Sequence, residues 1–331
     1  MEQDYKYMVC TSCMTYNHAP YIKDALNGFK IQETTFPVVY LITDDASTDG
    51  EQEVIRQYLA EHFQYPYRVE ETDDYNLICA IHKSNPNCIF IVFLLKYNHY
   101  VLKKSKLLYQ TEWRNNAKYI ATCEGDDYWI HPQKLQLQIN YLESHSNCGL
   151  VYCKAVCLNN NKYGTILGKR CDNIEDLIYQ NTIPTLTTIY KQSLREGFES
   201  LRLQEWKMGD YPLWLYLSSK SEIHFIDEVM AVYRVLDESA SHSCDYLRQT
   251  AFKESTFRIQ LYFSEKFKIG DKSEIEQRYY YERFDYAFHN LRQEDLKLYF
   301  KKLKHKNFKI RLKYLVGINK FFYIWYLRKR N

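Results

Sequence analysis

A mostly parallel α/β sheet flanked by helices is what this sequence predicts, and three observations predict it. Short apolar runs alternate with helical patterns through the first half of the chain. One run, Pro37-Val38-Val39-Tyr40-Leu41-Ile42-Thr43, has the continuous character of a strand buried on both faces. Two acidic clusters, Asp44-Asp45 and Glu124-Gly125-Asp126-Asp127, stand where apolar runs end. Open α/β sheets bind ligands beyond the carboxyl ends of their strands, so both clusters fall where a site belongs.

The elements follow in order. A first strand is expected over residues 7–14, leading through Thr15-Tyr16-Asn17-His18-Ala19-Pro20 into a helix over 21–32. After the second strand, Asp44-Asp45-Ala46-Ser47-Thr48-Asp49-Gly50 reads as a turn, with Thr48 and Glu51 spaced as a capping box. Ile55, Tyr58, Leu59 and His62 then recur at helical spacing. Residues 72–117 fit less well: 89–95 reads as a strand and 103–113 as a helix, joined by segments without a period. Pro132 opens a helix to about residue 145, with Leu135, Ile139 and Leu142 on one face. A strand over 150–158, a helix over 175–180 and an extended stretch over 182–190 come next. A helix starts at Gly209-Asp210-Tyr211, and short strands follow over 223–226 and 229–235. From Asp245 the pattern is helical, which divides the chain into a domain over 1–244 and a helical basic extension over 245–331.

Composition narrows the class. At 331 residues, 46% apolar and 26% charged, the chain can bury a large core and does not have the makeup of a disordered protein. Its net charge of +3 conceals an asymmetry. Residues 297–331 hold 12 Lys/Arg and no Asp/Glu, leaving 32 basic against 41 acidic side chains over 1–296. The body is acidic and the tail basic. Ten cysteines show no repeating spacing. Cys10-Thr11-Ser12-Cys13 has the form of a zinc or redox pair, but it lies inside an apolar strand and no second pair follows, so buried thiols in a reducing compartment are expected. Residues 1–7 lack the features of a secretory signal and no apolar stretch of spanning length occurs; a cytoplasmic protein, soluble or peripheral at the membrane's inner face, is expected.

The acidic run is the strongest chemical signal. Carboxylates one residue apart project to the same side of an extended chain and can share a hard divalent ion, Mg²⁺ or Mn²⁺. Such an ion takes oxygen ligands and keeps waters and substrate phosphates, so the run reads as a metal–diphosphate site. Asp126 leads as ligand, with Glu124 and Asp127 beside it. Read alone, Asp44-Asp45 is a turn with a helix cap; read with the second cluster, it is a ligand pocket.

Thr15-Tyr16-Asn17-His18, Thr34-Thr35-Phe36-Pro37, Asp44-Asp45-Ala46-Ser47-Thr48-Asp49-Gly50, Tyr119-Ile120-Ala121 with Cys123–Trp129, Pro132 with Lys134-Leu135-Gln136, Gly209–Leu213 and Tyr233-Arg234 together resemble family 2 glycosyltransferases of the GT-A, Rossmann-like fold, in particular those building bacterial cell-surface polysaccharide. The resemblance covers roughly residues 7–243. It implies that Thr15, Tyr16, Asn17, Asp44 and Asp45, with Glu124 and Gly125, hold a nucleotide-sugar donor, and that Asp126, with Glu124 and Asp127, binds the metal. A divalent ion there neutralises the diphosphate as the glycosidic bond breaks. The same resemblance makes Asp210 the base that deprotonates the acceptor, a glycan or lipid-linked glycan; its helix-start position also fits a simple cap. Trp206 and Trp214 flank it and read as core. Three departures stand out. The stretch 71–113 lacks the family's Asn and Gly pattern, Gly209 replaces an acidic residue, and His131 stands where Asp is usual. His242, in the loop after Tyr233-Arg234, is only a weak candidate for diphosphate or metal contact.

Two alternatives stay open. The irregular 72–117 segment suits a catalytically silent scaffold that binds glycans or partners. A nucleotidyltransferase lacks support, since no Gly-rich basic loop follows the first strand. In the tail, Tyr314, Ile318, Phe321, Phe322 and Trp325 share a helical face amid Lys and Arg; the helix either lies on an anionic membrane surface or packs on the protein, and nucleic acid is not an expected partner.

Overall fold

The structure is a computed structural model describing residues 5–201, 206–236 and 245–319. In chain order, β1 (Tyr7–Thr15), α1 (Ile22–Lys30), β2 (Val38–Asp44) and α2 (Glu51–His62) realise the first alternation. β3 (Arg68–Glu71), β4 (Tyr75–Ile81), β5 (Cys88–Leu95), α3 (Thr111–Asn115), β6 (Ala117–Thr122), β7 (Tyr128–Trp129) and α4 (Lys134–Ser144) follow. β8 (Cys148–Asn159), β9 (Lys162–Leu167), α5 (Ile174–Leu177), β10 (Ile189–Lys191), α6 (Asp210–Ser218) and β11 (Glu222–Arg234) complete the sheet region. Four helices end the described chain: α7 (Tyr246–Phe267), α8 (Lys272–His289), α9 (Gln293–Lys302) and α10 (Phe308–Ile318).

The chain forms two compact units. The first comprises Met1–Ile174, Asn181–Leu203 and Leu213–Leu236; the second comprises Glu175–Gln180, Gln204–Pro212 and Asp237–Asn331. One mixed sheet runs through the first unit in the order β3-β4-β5-β2-β1-β6-β10-β8-β11-β7, with β9 on β8. Its centre, β5-β2-β1-β6, is parallel, whereas β3-β4-β5 and β6-β10-β8 pair antiparallel. Every residue of β2 is buried, as the continuous run required. On one face, Phe29 of α1 stacks on Tyr40 at 5.0 Å and meets Trp129 edge-on at 5.1 Å. α1 approaches β7 so closely that a Cβ on Gly28 would lie 2.8 Å from the Trp129 backbone nitrogen and oxygen.

Several local expectations are corrected. The helix expected over 103–113 is replaced by a 3-10 turn at Lys106–Leu108 and the short α3. Lys103 adopts φ 53°, Lys106 is drawn to Asp45 and Gln110 to Thr43, so tertiary bonds override helical propensity. β3 and β4 form an unforeseen edge hairpin, because the alternating exposure of Arg68–Glu71 carries little apolar signal. The expected capping box does not form: Gly50, at φ 94°, precedes α2, and the Glu51 carboxylate turns inward. The extended stretch over 182–190 contracts to β10 after a 3-10 turn at Thr185–Thr187. The two strands expected near 223–235 are one, β11, with register shifts flanking Val229. Cys10 and Cys13 are buried thiols, as are six of the other described cysteines.

The second unit packs around Phe284, Ala287, Phe288, Leu296, Tyr299, Leu303 and Ile310. Asp245, Asp271 and Asn307 cap α7, α8 and α10 through their side chains. Tyr314 stacks on Phe300 at 3.8 Å, whereas Phe308, Leu312 and Leu315 on the same helix are exposed. Phe321, Phe322 and Trp325 of the tail, like His242, lie outside the described residues.

Gly28→Ala is expected to destabilise the protein by about 1–3 kcal/mol, because backbone must move to admit one methyl. Urea unfolding of the variant beside the wild type measures it, and an unchanged midpoint would refute the close approach.

Candidate active site

The register places four strand ends side by side: Thr15 pairs with Asp44, Asp44 with Leu94, and Ser12 with Thr122. Backbone bonds then knit the departing loops together. The Asp45 amide donates to the Thr15 carbonyl, and the Gly125 amide to the Met14 carbonyl, each at 3.0 Å. A Cβ on Gly125 would fall 2.1 Å from Thr15 Oγ1, so the acidic loop lies against the end of β1 in a way only glycine permits. Thr15, Asn17, Asp44, Asp45 and residues 124–127 are thereby gathered on one edge, with Tyr16 exposed beside them.

Glu51, which the sequence reading missed, organises this edge. Its carboxylate is fully buried and accepts from the Thr15 hydroxyl, from the His18 amide at 2.8 Å and from the Ser47 hydroxyl at 2.9 Å. Asn17, at φ 57°, donates its amide to Ser47 Oγ and accepts from the Thr48 amide, each at 2.8 Å. The loops after β1 and β2 are thus one hydrogen-bonded body.

The two aspartates after β2 behave differently. Asp44 Oδ1 accepts from the Ser47 amide at 3.0 Å and from Gln52 Nε2 at 2.6 Å, while its Oδ2 is buried without a hydrogen-bond partner among the described residues. Burial pushes its carboxyl above the usual range, against the opposing bonds from Ser47 and Gln52. Asp45 is saturated: Oδ1 accepts from the His99 amide at 2.7 Å, and Oδ2 from the Tyr100 amide at 3.1 Å and Lys106 Nζ at 2.7 Å. The irregular segment 97–106 therefore folds onto the residue expected to meet the nucleoside. His99 and Lys106 carried no sequence signal, since they stand 54 and 61 residues from Asp45. Asp74 fastens the same segment by accepting from the Tyr97 hydroxyl and, at 2.9 Å, from the Tyr109 hydroxyl.

In the acidic run, Asp126 Oδ1 is buried with no hydrogen-bond partner among the described residues, and Oδ2 lies 3.9 Å from His18 Nε2. Asp127 is enclosed, and its Oδ1 accepts from the Arg234 amide at 2.8 Å. Burial, then the Asp126 charge, holds its carboxyl well above the usual range. Arg234 also donates to the Asp126 carbonyl at 3.3 Å, pairs with Asp24 at 2.7 Å and lies 4.5 Å over the Tyr21 ring. Among the described residues no three His, Cys, Asp or Glu side chains are gathered to hold a metal ion. The donor chemistry still suits one: Mg²⁺ or Mn²⁺ takes one or two protein carboxylates and completes its shell with water and phosphate, and an orphaned buried oxygen such as Asp126 Oδ1 is what a cation satisfies.

Asp210 lies in the second unit, at the first residue of α6, where its Oδ1 accepts from the Tyr211 amide at 2.7 Å. Trp214 is buried against Tyr190 in the first unit, and Trp206 packs on Tyr262 and Phe263 in the second.

Known proteins agree on the architecture. Residues 1–349 of Staphylococcus aureus TarS, solved with UDP-GlcNAc, superpose with a TM-score of 0.55 at 14% identity, covering 97% of this chain and 92% of that one. A Pyrobaculum calidifontis mannosyltransferase solved with GDP-Man and Mn²⁺ gives 0.51 at 13% identity, covering 97% and 83%. The chain therefore has the GT-A-like glycosyltransferase fold, a mixed sheet flanked by helices with a helical C-terminal extension. In sequence, an uncharacterised Mycobacterium tuberculosis protein is 27% identical over 226 residues, 67% of this chain and 57% of its own length. The chain thus spans little more than half of that relative. A candidate teichuronic acid biosynthesis glycosyltransferase of Bacillus subtilis, TuaG, is 24% identical over 246 residues, 72% of this chain and 83% of its own. No protein-family model matches the chain.

Asp44, Glu51 and Asp127 are all raised by burial, so the unfolded chain ionises them at lower pH than the folded one. Their stabilising contribution is complete below about pH 4 and is lost as pH rises through the folded values. Asp127→Asn keeps an acceptor for the Arg234 amide and removes one ionisation. The difference between the thermal midpoints of variant and wild type is therefore expected to grow in the variant's favour as pH rises from about 4. Parallel curves would exclude Asp127 as a contributor.

Proposed function

We propose that the protein is a metal-dependent, inverting glycosyltransferase of the family 2 type, moving a hexosyl or N-acetylhexosaminyl group from a nucleotide-diphosphate sugar to an acceptor hydroxyl in surface-polysaccharide synthesis. The observation that carries this reading is the pair of buried, unpartnered carboxylate oxygens, Asp44 Oδ2 and Asp126 Oδ1, on one edge of a GT-A-like sheet. The UDP-GlcNAc and the GDP-Man with Mn²⁺ held by two proteins of like fold support a nucleotide-sugar donor and a metal.

In this reading Thr15, Tyr16, Asn17 and Asp44 line the nucleoside pocket, with Asp45 holding its wall through His99, Tyr100 and Lys106. Asp126 and Glu124, next to Gly125, hold Mg²⁺ or Mn²⁺, which supplies charge neutralisation for the departing diphosphate. Asp127 keeps the loop in place from within. Asp210 takes the proton of the acceptor hydroxyl, whose oxygen bonds to the anomeric carbon on the face opposite the leaving group while the carbon–phosphate oxygen bond breaks. A position at a helix start favours the ionised carboxylate that this role needs.

The saturation of Asp45 favours a second reading, a silent scaffold that binds glycans without a nucleotide. Thermal melts with UDP-, GDP- and dTDP-sugars, with and without Mn²⁺, separate the two; a metal-dependent rise with one nucleotide supports the transferase, and no rise with any supports the scaffold. Asp126→Asn is expected to lower transfer at least ~100-fold and remove its metal dependence, whereas Asp210→Asn leaves the donor-induced rise intact and stops transfer. Normal turnover in either variant would reject that residue's role.

Among the described residues no helix is long and apolar enough to cross a membrane. We place the protein in the cytoplasm, with residues 297–331 of the basic extension, here 245–331, resting on an anionic membrane surface near a lipid-linked acceptor. The exposed Phe308, Leu312 and Leu315 of α10, interleaved with Lys309 and Arg311, support that contact. Co-sedimentation with phosphatidylserine vesicles is expected and should fall at high salt; equal recovery with neutral vesicles would overturn it.

A further inference from the structure

A cavity of about 630 Å³ opens in the first unit, and none of the acidic-loop residues lines it. It is bounded by Tyr5 before β1, by the 3-10 turn around Leu108 with α3, and by the turns after β10. α3 leads into the start of β6, and Tyr5 precedes the start of β1. The length of β1, roughly 25–30 Å, therefore separates the Tyr5 end of this cavity from Thr15.

Its floor holds Arg114, 6% exposed. Among the described residues the Arg114 guanidinium has no hydrogen bond and no ion pair, while its neighbour Glu112 is committed to Arg68 at 3.0 Å. A guanidinium without a counterion in a largely buried residue has charge to spare, and its planar fork matches the two oxygens of a carboxylate or phosphate. Two further groups on the same wall are unmatched among the described residues: Arg195 Nε and Gln192 Oε1 are buried with no hydrogen-bond partner there. The other end of Arg195 pairs with Glu199 at 2.5 Å; Glu196 and Glu199 both line the cavity at exposed positions, and neither forms an ion pair with Arg114. Tyr5 and the exposed Leu108 add apolar surface against which the C–H face of a ring can lie.

We infer that this cavity binds a saccharide unit carrying one anionic group, a carboxylate or a phosphate, with the anion on Arg114 and ring hydroxyls meeting Gln192 Oε1 and Arg195 Nε. The volume is in the range of ordinary small-molecule sites, of about 300–1,000 Å³. The cavity's lining shares no residue with the donor edge, although Ser105, Leu107 and Leu108 flank Lys106, which pairs with Asp45. A glycan held here carries its charge in a place that the nucleotide does not occupy.

Calorimetric titration of the full chain at low ionic strength, with glucuronate, glucose 6-phosphate and glucose, tests the inference. Saturable binding of an acidic sugar and none of glucose is expected; which acidic sugar binds tells a uronic acid from a phosphorylated unit. Arg114→Gln should weaken that binding at least ~10-fold, and excess UDP should leave it unchanged. Leu108→Glu, at an exposed position outside the core, should weaken it too by placing a negative charge at the mouth, and serves if the arginine variant does not fold. No saturable binding of either acidic sugar, full binding in a folded Arg114→Gln protein, or displacement by UDP would each overturn the inference. None of these results depends on sugar transfer.

Discussion

One buried carboxylate, that of Glu51, receives the Thr15 hydroxyl, the His18 amide and the Ser47 hydroxyl at once. Those three groups belong to the loops leaving two neighbouring strands, and a parallel sheet offers no backbone ladder beyond its strand ends to hold such loops in place. Glu51 supplies that missing connection from below. Its location at the first residue of α2 lets the helix N-terminus favour the charge that burial opposes. The position of Thr15 then fixes how near Gly125 can come, and Gly125 fixes where Asp126 stands. The rest of the edge depends on that sequence of contacts.

The sheet's centre was legible because burial on both faces leaves an unmistakable apolar run, as in β2 and β5. The edge hairpin was not: half of Arg68–Glu71 faces water, and a four-residue strand has too little apolar signal to separate from a loop. The segment 97–110 misled for a different reason. Its helix formers are claimed by distant acceptors, Asp45 for Lys106 and Thr43 for Gln110, and no local pattern reports a bond across more than fifty residues. At the candidate site, Asp44 and Asp126 stand out in the sequence because they follow apolar runs, and the structure gathers both on one edge of the sheet. Glu51 was hidden by a local rule, since a Glu three residues after Thr48 looks like a capping partner. Its inward turn follows from Gly50 taking the cap position at positive φ.

The acidic run is divided between two tasks by depth. Asp127 is enclosed and faces the β11 backbone, so it maintains the loop, whereas Asp126 retains an oxygen that the protein leaves unmatched. Neighbouring residues in a tight turn can serve opposite purposes because their side chains leave the chain in different directions. Residue type and spacing put Asp126 first with Glu124 and Asp127 beside it; depth in the fold separates Asp126 from Asp127.

Arg234 joins α1, through Asp24, to the acidic loop, across 210 positions of sequence. A contact of that span closes late, since the whole intervening chain must already be in place before it can form. During synthesis the segment 123–127 emerges long before its anchor and holds its buried acids without the β11 amide that receives one of them. The edge is therefore completed by the last strand of the sheet, and a chain that stops short of Arg234 carries the acidic residues without the means to set them.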